Sequence, residues 1–396
     1  MKKAFNLALA LFPIISGYGF SPSLDFGSLL LFFLGVGCVA AYPQKFKIKF
    51  PLGYMAFFVV ALLLSLLWAR SVPLRLLLFS ANLCFACCYA KWDYLWKYYQ
   101  ATIIVCGVFF ILQEALFYTT GFRPSGLLSI LPVIYGNNAA MVEDAVSSFR
   151  SASFFLEPSY FAQYLVPYII VCLFSTDKKD RKNGLIASVL LLLIRSGMGI
   201  LALGVIWLLW FLFSKTKTTY KIIVGLAALG VLGILAYTGS SVFDYISGRS
   251  VEMLSYSGDE RYMSSGFIRF FRGYYAFADM SVFDKLFGAN PSVVHDFLNR
   301  NIFFGSDESN FLNGAQTLLF YNGIIGTLFF LRHTLLFPYK SHNRTLLVFS
   351  VCVILLMLGE SFYLCSRWLV MVVFMQLLYQ DERMKVNNIE RNVIQG

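Results

Sequence analysis

Apolar runs separated by short polar loops set the pattern of this chain. They recur at roughly 4–20, 28–42, 52–69, 74–90, 98–118, 160–175, 184–194, 198–213, 222–238, 312–331, 345–359 and 367–380. Many approach the ~20 residues that an α-helix needs to cross a bilayer. Lysines sort the loops between them. Lys2 and Lys3, Lys45, Lys47 and Lys49, Lys91 and Lys97, Lys178, Lys179 and Lys182, Lys215, Lys217 and Lys221, Lys340 and Lys385 all fall in alternate loops. The positive-inside rule makes those loops cytoplasmic. The pattern predicts an all-α polytopic integral membrane protein, a single domain over residues 1–396 with about twelve transmembrane helices and both termini inside. Two outer loops are large, 119–157 and 239–310. The second, between the ninth and tenth helices, is long enough for a small subdomain. Met1-Lys2-Lys3 before an apolar run is the start of many signal peptides, but no small-residue cleavage site ends the run, so it reads as a retained first helix.

The run from Gly184 to Phe213 is interrupted by Arg195-Ser196-Gly197. Basic clusters flank it on both sides, and two crossings are needed if both clusters are cytoplasmic. Two short helices are therefore expected to meet at Arg195, below the outer surface. An arginine at that depth is a functional candidate, with snorkelling to the headgroups as the alternative.

Composition agrees with the pattern. The 396 residues are 58% hydrophobic and only 13% charged, with a mean hydropathy of +0.69, which excludes an ordinary soluble domain. A formal charge of +11 would suggest nucleic acid for a soluble protein. In a bilayer, what matters is which side each charge lies on. Nearly all lysines are inside. The outer loops instead hold Arg70, Arg75, Arg123, Arg150, Arg195, Arg249, Arg261, Arg269, Arg272, Arg300 and Arg367, with Lys285 as the one outer lysine. A guanidinium presents a planar fork that grips phosphate by two bonds. The expected partner is an outer-leaflet anion bearing phosphate groups.

The stretch Phe149 to Tyr164, FRSASFFLEPSYFAQY, carries the densest candidate chemistry. Pro158 suits the first position of a helix, which leaves Glu157 at the helix start beside unpaired backbone N–H groups. Arg150 and Tyr160 lie close by in sequence. The plain alternative is a polar loop that caps a transmembrane helix. Further along, Ser265 to Met280 (SGFIRFFRGYYAFADM) reads as an interfacial helix with Arg269 and Arg272 on one face, since residues three apart share a face.

Several chemistries lack their motifs. There is no P-loop, no GxGxxG, no Asp-x-Asp pair and no GxSxG elbow. Cys84, Cys87 and Cys88 have ligand-like spacing, but neither histidine nor carboxylate joins them, so they read as small packing hydrophobes. His295, the one outer histidine, reads as a surface residue. No metal and no cofactor is expected.

FRSASFFLEPSYFAQY resembles the segment that opens a central helix in the O-antigen polymerase/ligase superfamily, the Wzy-type polysaccharide polymerases. Three further pieces follow in the same order: Ile194-Arg195-Ser196-Gly197, Phe267 to Gly288 (FIRFFRGYYAFADMSVFDKLFG) and Ser309 to Gly326 (SNFLNGAQTLLFYNGIIG). The resemblance covers about the middle half of the chain. The ligases of the superfamily carry a histidine where this chain has Ser309-Asn310, which favours a polymerase. The resemblance implies a bacterial inner-membrane glycosyltransferase for O-antigen, capsule or exopolysaccharide. Its substrates would be undecaprenyl-pyrophosphate-linked glycans, its active site would face the periplasm, and a chain-length regulator would be a further partner. An O-antigen ligase acting on lipid A core, or a transporter of lipid-linked sugars, is the alternative function.

Such a reaction needs fixed cations at the leaving pyrophosphate and a proton acceptor for the attacking sugar hydroxyl. Arg150, Arg195, Arg269, Arg272 and Arg367 are the candidates for substrate contacts, Glu157 for the base, and Tyr160 for sugar stacking. A helix N-terminus and a nearby arginine both lower a carboxyl pKa, which counts against Glu157 as base and allows it to orient Arg150 instead. Asp307, Glu308 and Glu360 are the alternate bases.

Overall fold

A computed structural model describes the chain outside residues 22–23, 47–51, 70–73, 129, 135–150, 215–218, 220, 222–224, 226–267, 302–310, 342 and 396. At 52–53, 68–69, 268–269, 333, 336–341 and 381–395 it describes the backbone only. Helices dominate it. The first five are α1 (Lys2–Ile15), α2 (Phe26–Ala41), α3 (Leu52–Ala69), α4 (Leu74–Tyr89) and α5 (Trp92–Thr120). Next come α6 (Pro158–Phe174), α7 (Lys178–Leu193) and α8 (Gly197–Phe213), followed by three short helices, α9 (Gly273–Ala278), α10 (Val282–Phe287) and α11 (Pro291–Arg300). The chain closes with α12 (Gly314–Ser341), α13 (Arg344–Gly359) and α14 (Ser366–Gln395). A short antiparallel pair, β1 (Gly19–Ser21) and β2 (Leu24–Asp25), joins α1 to α2.

Two helices are long and apolar enough to cross a membrane by length and composition, α5 and the Gly314–Arg332 part of α12. Shorter apolar helices include α2, α4, α6, α8 and α13. The expected ninth span, 222–238, and most of loop 239–310 lie outside the described residues. Burial separates inner helices from outer ones. In α6 every residue from Phe161 to Ile170 is buried, because α7, α8, α13 and α14 all pack around it. On α5, by contrast, Ile104, Val105, Val108, Ile111 and Leu112 are each more than half exposed. Ile186 and Val189 on α7 and Leu208 and Leu212 on α8 are exposed to a similar degree. Helices that are apolar on their outward as well as their inward faces belong to membrane spans or to the interior of a larger body.

The interrupted run is two helices, as its basic flanks required. α7 stops at Leu193, Arg195 takes a left-handed φ of 57°, and Ser196 caps α8 by accepting from the Gly199 N–H at 3.3 Å. Of the expected helix over Ser265 to Met280, residues 268–278 are helical, but the first part is not wound as an α-helix. Ile268–Arg272 winds as a π-turn before α9 starts at Gly273. Its i→i+5 bonding rotates residues three apart further from one another than an α-helix does. The shared face inferred for Arg269 and Arg272 therefore does not follow.

Beyond this turn, α9 to α11 form a small module with a core of its own. Ala276, Met280, Ala289, Val294 and Leu298 pack on Leu312 and Phe320 at the start of α12. Two glycines permit this docking. Gly288 (φ 82°) and Gly323 (φ 62°) approach so closely that a Cβ on Gly323 would lie 2.5 Å from the Gly288 nitrogen. Gly323 also breaks the helical geometry of α12, with ψ −173°.

The helix ends divide by chemistry. At one end Lys2, Lys45 and Lys91 lie within electrostatic reach of one another, and Arg344 donates to the Phe213 carbonyl at 2.9 Å. At the other, α1, α5, α7 and α13 finish while α4, α6, α8, α12 and α14 begin. That end is stitched by polar contacts such as Ser16 Oγ to Ser366 Oγ at 2.6 Å and Gly314 N–H to the Glu360 carbonyl at 2.7 Å.

Gly323→Ala is expected to destabilise the protein by about 1–3 kcal/mol, the usual cost of forcing a side chain into a glycine-only conformation. Gly204→Ala, where an added Cβ would meet nothing within 4 Å, should leave stability unchanged or raised. Thermal unfolding of the two variants in detergent tests the contrast.

Candidate functional site

The candidate stretch before α6 is held by α5. Ser151 donates to Glu114 Oε1 at 2.6 Å through its hydroxyl and at 3.3 Å through its backbone. Ser153, with φ 55°, donates from its backbone to Gln113 Oε1 at 2.9 Å and from its hydroxyl to the Cys106 carbonyl at 2.8 Å. Phe154 stacks on Phe109 and Phe155 on Phe161. Serines and phenylalanines thus fix the chain path that delivers Glu157 to the α6 N-terminus. There, Glu157 occupies the N-cap position without a capping bond from its side chain. Its carboxylate instead accepts from Ser159 Oγ at 2.9 Å. The capping role therefore does not account for the charge of Glu157.

Arg367, in the first turn of α14, meets this stretch. It is 8% exposed, and its guanidinium carbon lies 3.5 Å from the centroid of the Tyr160 ring. Among the described residues the guanidinium makes no hydrogen bond, and its Nε is buried without a partner. Both Glu157 and Glu360 lie within its electrostatic reach, yet neither is close enough for an ion pair. A desolvated cation–π contact supplies roughly 2 kcal/mol, but an aromatic face satisfies no N–H group. The donor fork of Arg367 is thus available to an anion.

Glu360 ends α13 and is 6% exposed. The turn after it, residues 360–365, carries Leu364 at φ 45°. It is tied to the head of α12 by Ser361 Oγ to the Leu312 carbonyl at 3.3 Å and by Asn322 Nδ2 to Tyr363 Oη at 3.1 Å. Asn313 and Gln316 cap α12 reciprocally, at 3.1 and 2.8 Å. Asn313 also reaches the Leu358 carbonyl at 2.6 Å, and Gln316 reaches the Phe270 carbonyl of the π-turn at 3.3 Å. Met198, just inside α8, packs against Gly359. The N-termini of α6, α8, α12 and α14 therefore gather around the 359–366 segment. Each adds a partial positive charge worth roughly 0.3–1 kcal/mol to an anion bound nearby. The three non-glycine residues with left-handed φ among the described residues are Ser153, Arg195 and Leu364. One falls in each of the segments that border this region, as strained backbone tends to do at functional sites.

The sequence candidates divide accordingly. Glu157, Tyr160 and Arg367 come together. Arg195 donates to Tyr118 Oη at 2.7 Å, beside a second cluster in which Arg123 lies 3.5 Å from Glu114 and stacks on Phe117. Outside the apolar helices, burial lowers the Arg123 pKa while Glu114 pulls it back up. Arg272 is 1% exposed at the end of the π-turn. Arg150, Asp307 and Glu308 lie outside the described residues, as does the Arg269 side chain.

One polar residue escaped the sequence reading. Gln163 is 1% exposed, and neither its amide nitrogen nor its oxygen has a partner among the described residues. An unsatisfied buried amide costs about 1–3 kcal/mol. The signal was present, because Glu157, Tyr160 and Gln163 recur every three residues along one helix. Among the described residues, no group of three His, Cys, Asp or Glu side chains is placed to hold a metal ion. Comparison with protein-family models, curated proteins and solved structures gives no match to this chain.

What this arrangement can do is bind an anion at Arg367 with two carboxylates near it. Inorganic pyrophosphate should bind the wild-type protein, and Arg367→Lys should weaken binding about tenfold or more, since lysine retains the charge but not the planar fork. Isothermal titration in detergent measures this, and equal affinities would remove Arg367 as the anion contact.

Proposed function

We propose that the protein is a multi-pass membrane glycosyltransferase that polymerises polyprenyl-pyrophosphate-linked oligosaccharide units on the outer side of a bacterial inner membrane. The observation that carries this reading is the buried Arg367 guanidinium, stacked on Tyr160, without a hydrogen-bond partner among the described residues and within electrostatic reach of Glu157 and Glu360. The resemblance of FRSASFFLEPSYFAQY to the Wzy-type polymerases supports it from the sequence side. So does the chemical division of the helix ends, because lysines collect at one end and the candidate site lies at the other.

In the proposed reaction a hydroxyl of one lipid-linked unit attacks the anomeric carbon of another. The new glycosidic bond forms as the carbon–oxygen bond to the pyrophosphate breaks, and the pyrophosphate leaves with the electron pair. Arg367 and the surrounding helix N-termini stabilise the charge that develops on it. The hydroxyl proton passes to a carboxylate, for which Glu157 is the first candidate and Glu360 the second. In this reading Arg195 and Arg272 are further cations for the phosphates of the lipid-linked substrates. The twelve-span topology, the periplasmic loops at 119–157 and 239–310 and the cytoplasmic termini belong to this proposal as well.

Purified protein incubated with lipid-linked repeat units and run on a gel is expected to give a ladder. Transfer to lipid A core would indicate a ligase instead, and the absence of any new product would leave a transporter. Glu157→Gln should reduce the ladder by about 10²–10⁴-fold if Glu157 is the base, while binding of the lipid-linked unit persists. A near-normal ladder would move the role to Glu360.

Topology has its own test. On a cysteine-free background, a thiol at Asn299 should react with an impermeant reagent added outside, and one at Thr176, next to Lys178 and Lys179, should not. Labelling of Thr176 alone would reverse the orientation.

A further inference from the structure

A cleft of about 420 Å³ opens beside the 360–365 turn, on the flank formed with α3, α4 and α12. Its size lies in the range of small-ligand sites. Its polar lining includes Arg75, Asn290, Thr317, Tyr321, Asn322 and Tyr363, together with two serine hydroxyls. One exposed guanidinium thus shares the cleft with two phenol rings, two amides and three aliphatic hydroxyls, with leucines behind them. Arg75 donates to the Leu364 carbonyl at 3.3 Å, which uses one of its five N–H groups. The carboxylate within its electrostatic reach, Asp25, is engaged by the Ser28 backbone and hydroxyl at 2.6 Å each. Aromatic faces, neutral donors and acceptors and a single cation in one cavity match a polyhydroxylated ligand with one negative charge.

We infer that this cleft is a saccharide subsite that takes one or two sugar rings bearing a carboxylate, with Arg75 as the charged contact. On the glycosyltransferase reading proposed above, from which it takes its place in the reaction, it holds the acceptor sugar. Leu364, to which Arg75 is bonded, and Arg367 are three residues apart, so their Cα atoms lie within about 11 Å. The turn therefore presents a sugar cleft on one flank and an anion-binding guanidinium on the other. An acceptor seated at Arg75 lies next to a donor pyrophosphate at Arg367.

The test uses the full-length protein in detergent and a glucuronic-acid-containing disaccharide as probe, with maltose as the neutral control. Wild-type protein should bind the acidic disaccharide in preference to maltose, and Arg75→Ala should weaken that binding about 10- to 100-fold, as expected for loss of a charged hydrogen bond. Because Arg75 also steadies the turn, Ser65→Leu serves as a second variant. It adds bulk to the cleft from α3, leaves the Arg75 bond to the Leu364 carbonyl in place, and should reduce binding while the thermal midpoint is unchanged. Absence of probe binding to wild type, equal binding of maltose, or wild-type affinity in both variants would each overturn the assignment. The polymer assay separates this result from the reading it rests on. A ladder with no cleft binding rejects the subsite alone, whereas cleft binding without a ladder rejects the polymerase alone.

Discussion

A buried guanidinium without a hydrogen-bond partner is costly, and among the described residues Arg367 has none. Its charge is held away from solvent by the Tyr160 ring on one face, and neither Glu157 nor Glu360 approaches to ion-pair distance. Had either carboxylate closed on it, the site would be a structural ion pair with little left to offer a ligand. Instead the separation leaves the fork without a carboxylate across it, while Glu157 accepts from Ser159 Oγ at 2.9 Å. On the proposed reading, a ligand with phosphate groups is the natural partner for a guanidinium fork held in this way.

That arrangement depends on the 359–366 segment more than on any single helix. The segment is short, contains a left-handed non-glycine residue at Leu364, and is tied to α12 by backbone and side-chain bonds and to α4 by Arg75. Rigid attachment of this kind holds a strained turn that would otherwise relax. The same attachment gives the segment two flanks, Arg367 toward α6 and the Arg75 cleft toward α4. Ser151 and Ser153 do the equivalent work on the other side, because their bonds to α5 set the path of the chain that carries Glu157.

The apolar exterior has a separate logic. Outward isoleucines, valines and leucines on α5, α7 and α8 cannot be satisfied by water over so large a surface. They account for the hydropathy of the chain without contributing to the site. The candidate site lies at helix ends, where backbone groups are unpaired and polar side chains gather.

Much of this was legible in the sequence because it is local. Apolar runs gave the helices, Pro158 gave the start of α6, and lysines on both flanks of Gly184–Phe213 required the break at Arg195. Local pattern failed where winding depends on neighbours. The Ile268–Arg272 segment was read as part of an interfacial α-helix but winds as a π-turn where Gln316 of α12 reaches the Phe270 carbonyl. Partnerships far apart in sequence were equally hidden. Glu157 lies within electrostatic reach of Arg367, which comes from the last helix and which sequence proximity does not suggest. The meeting of Arg75 with Tyr321, Asn322 and Tyr363 has no sequence signature either. The sequence by itself determined which segments are helical and which residues are chemically able. Only the packing of helices from distant parts of the chain decided which of those residues meet, because a helix's periodicity specifies its faces but not which helix each face will touch.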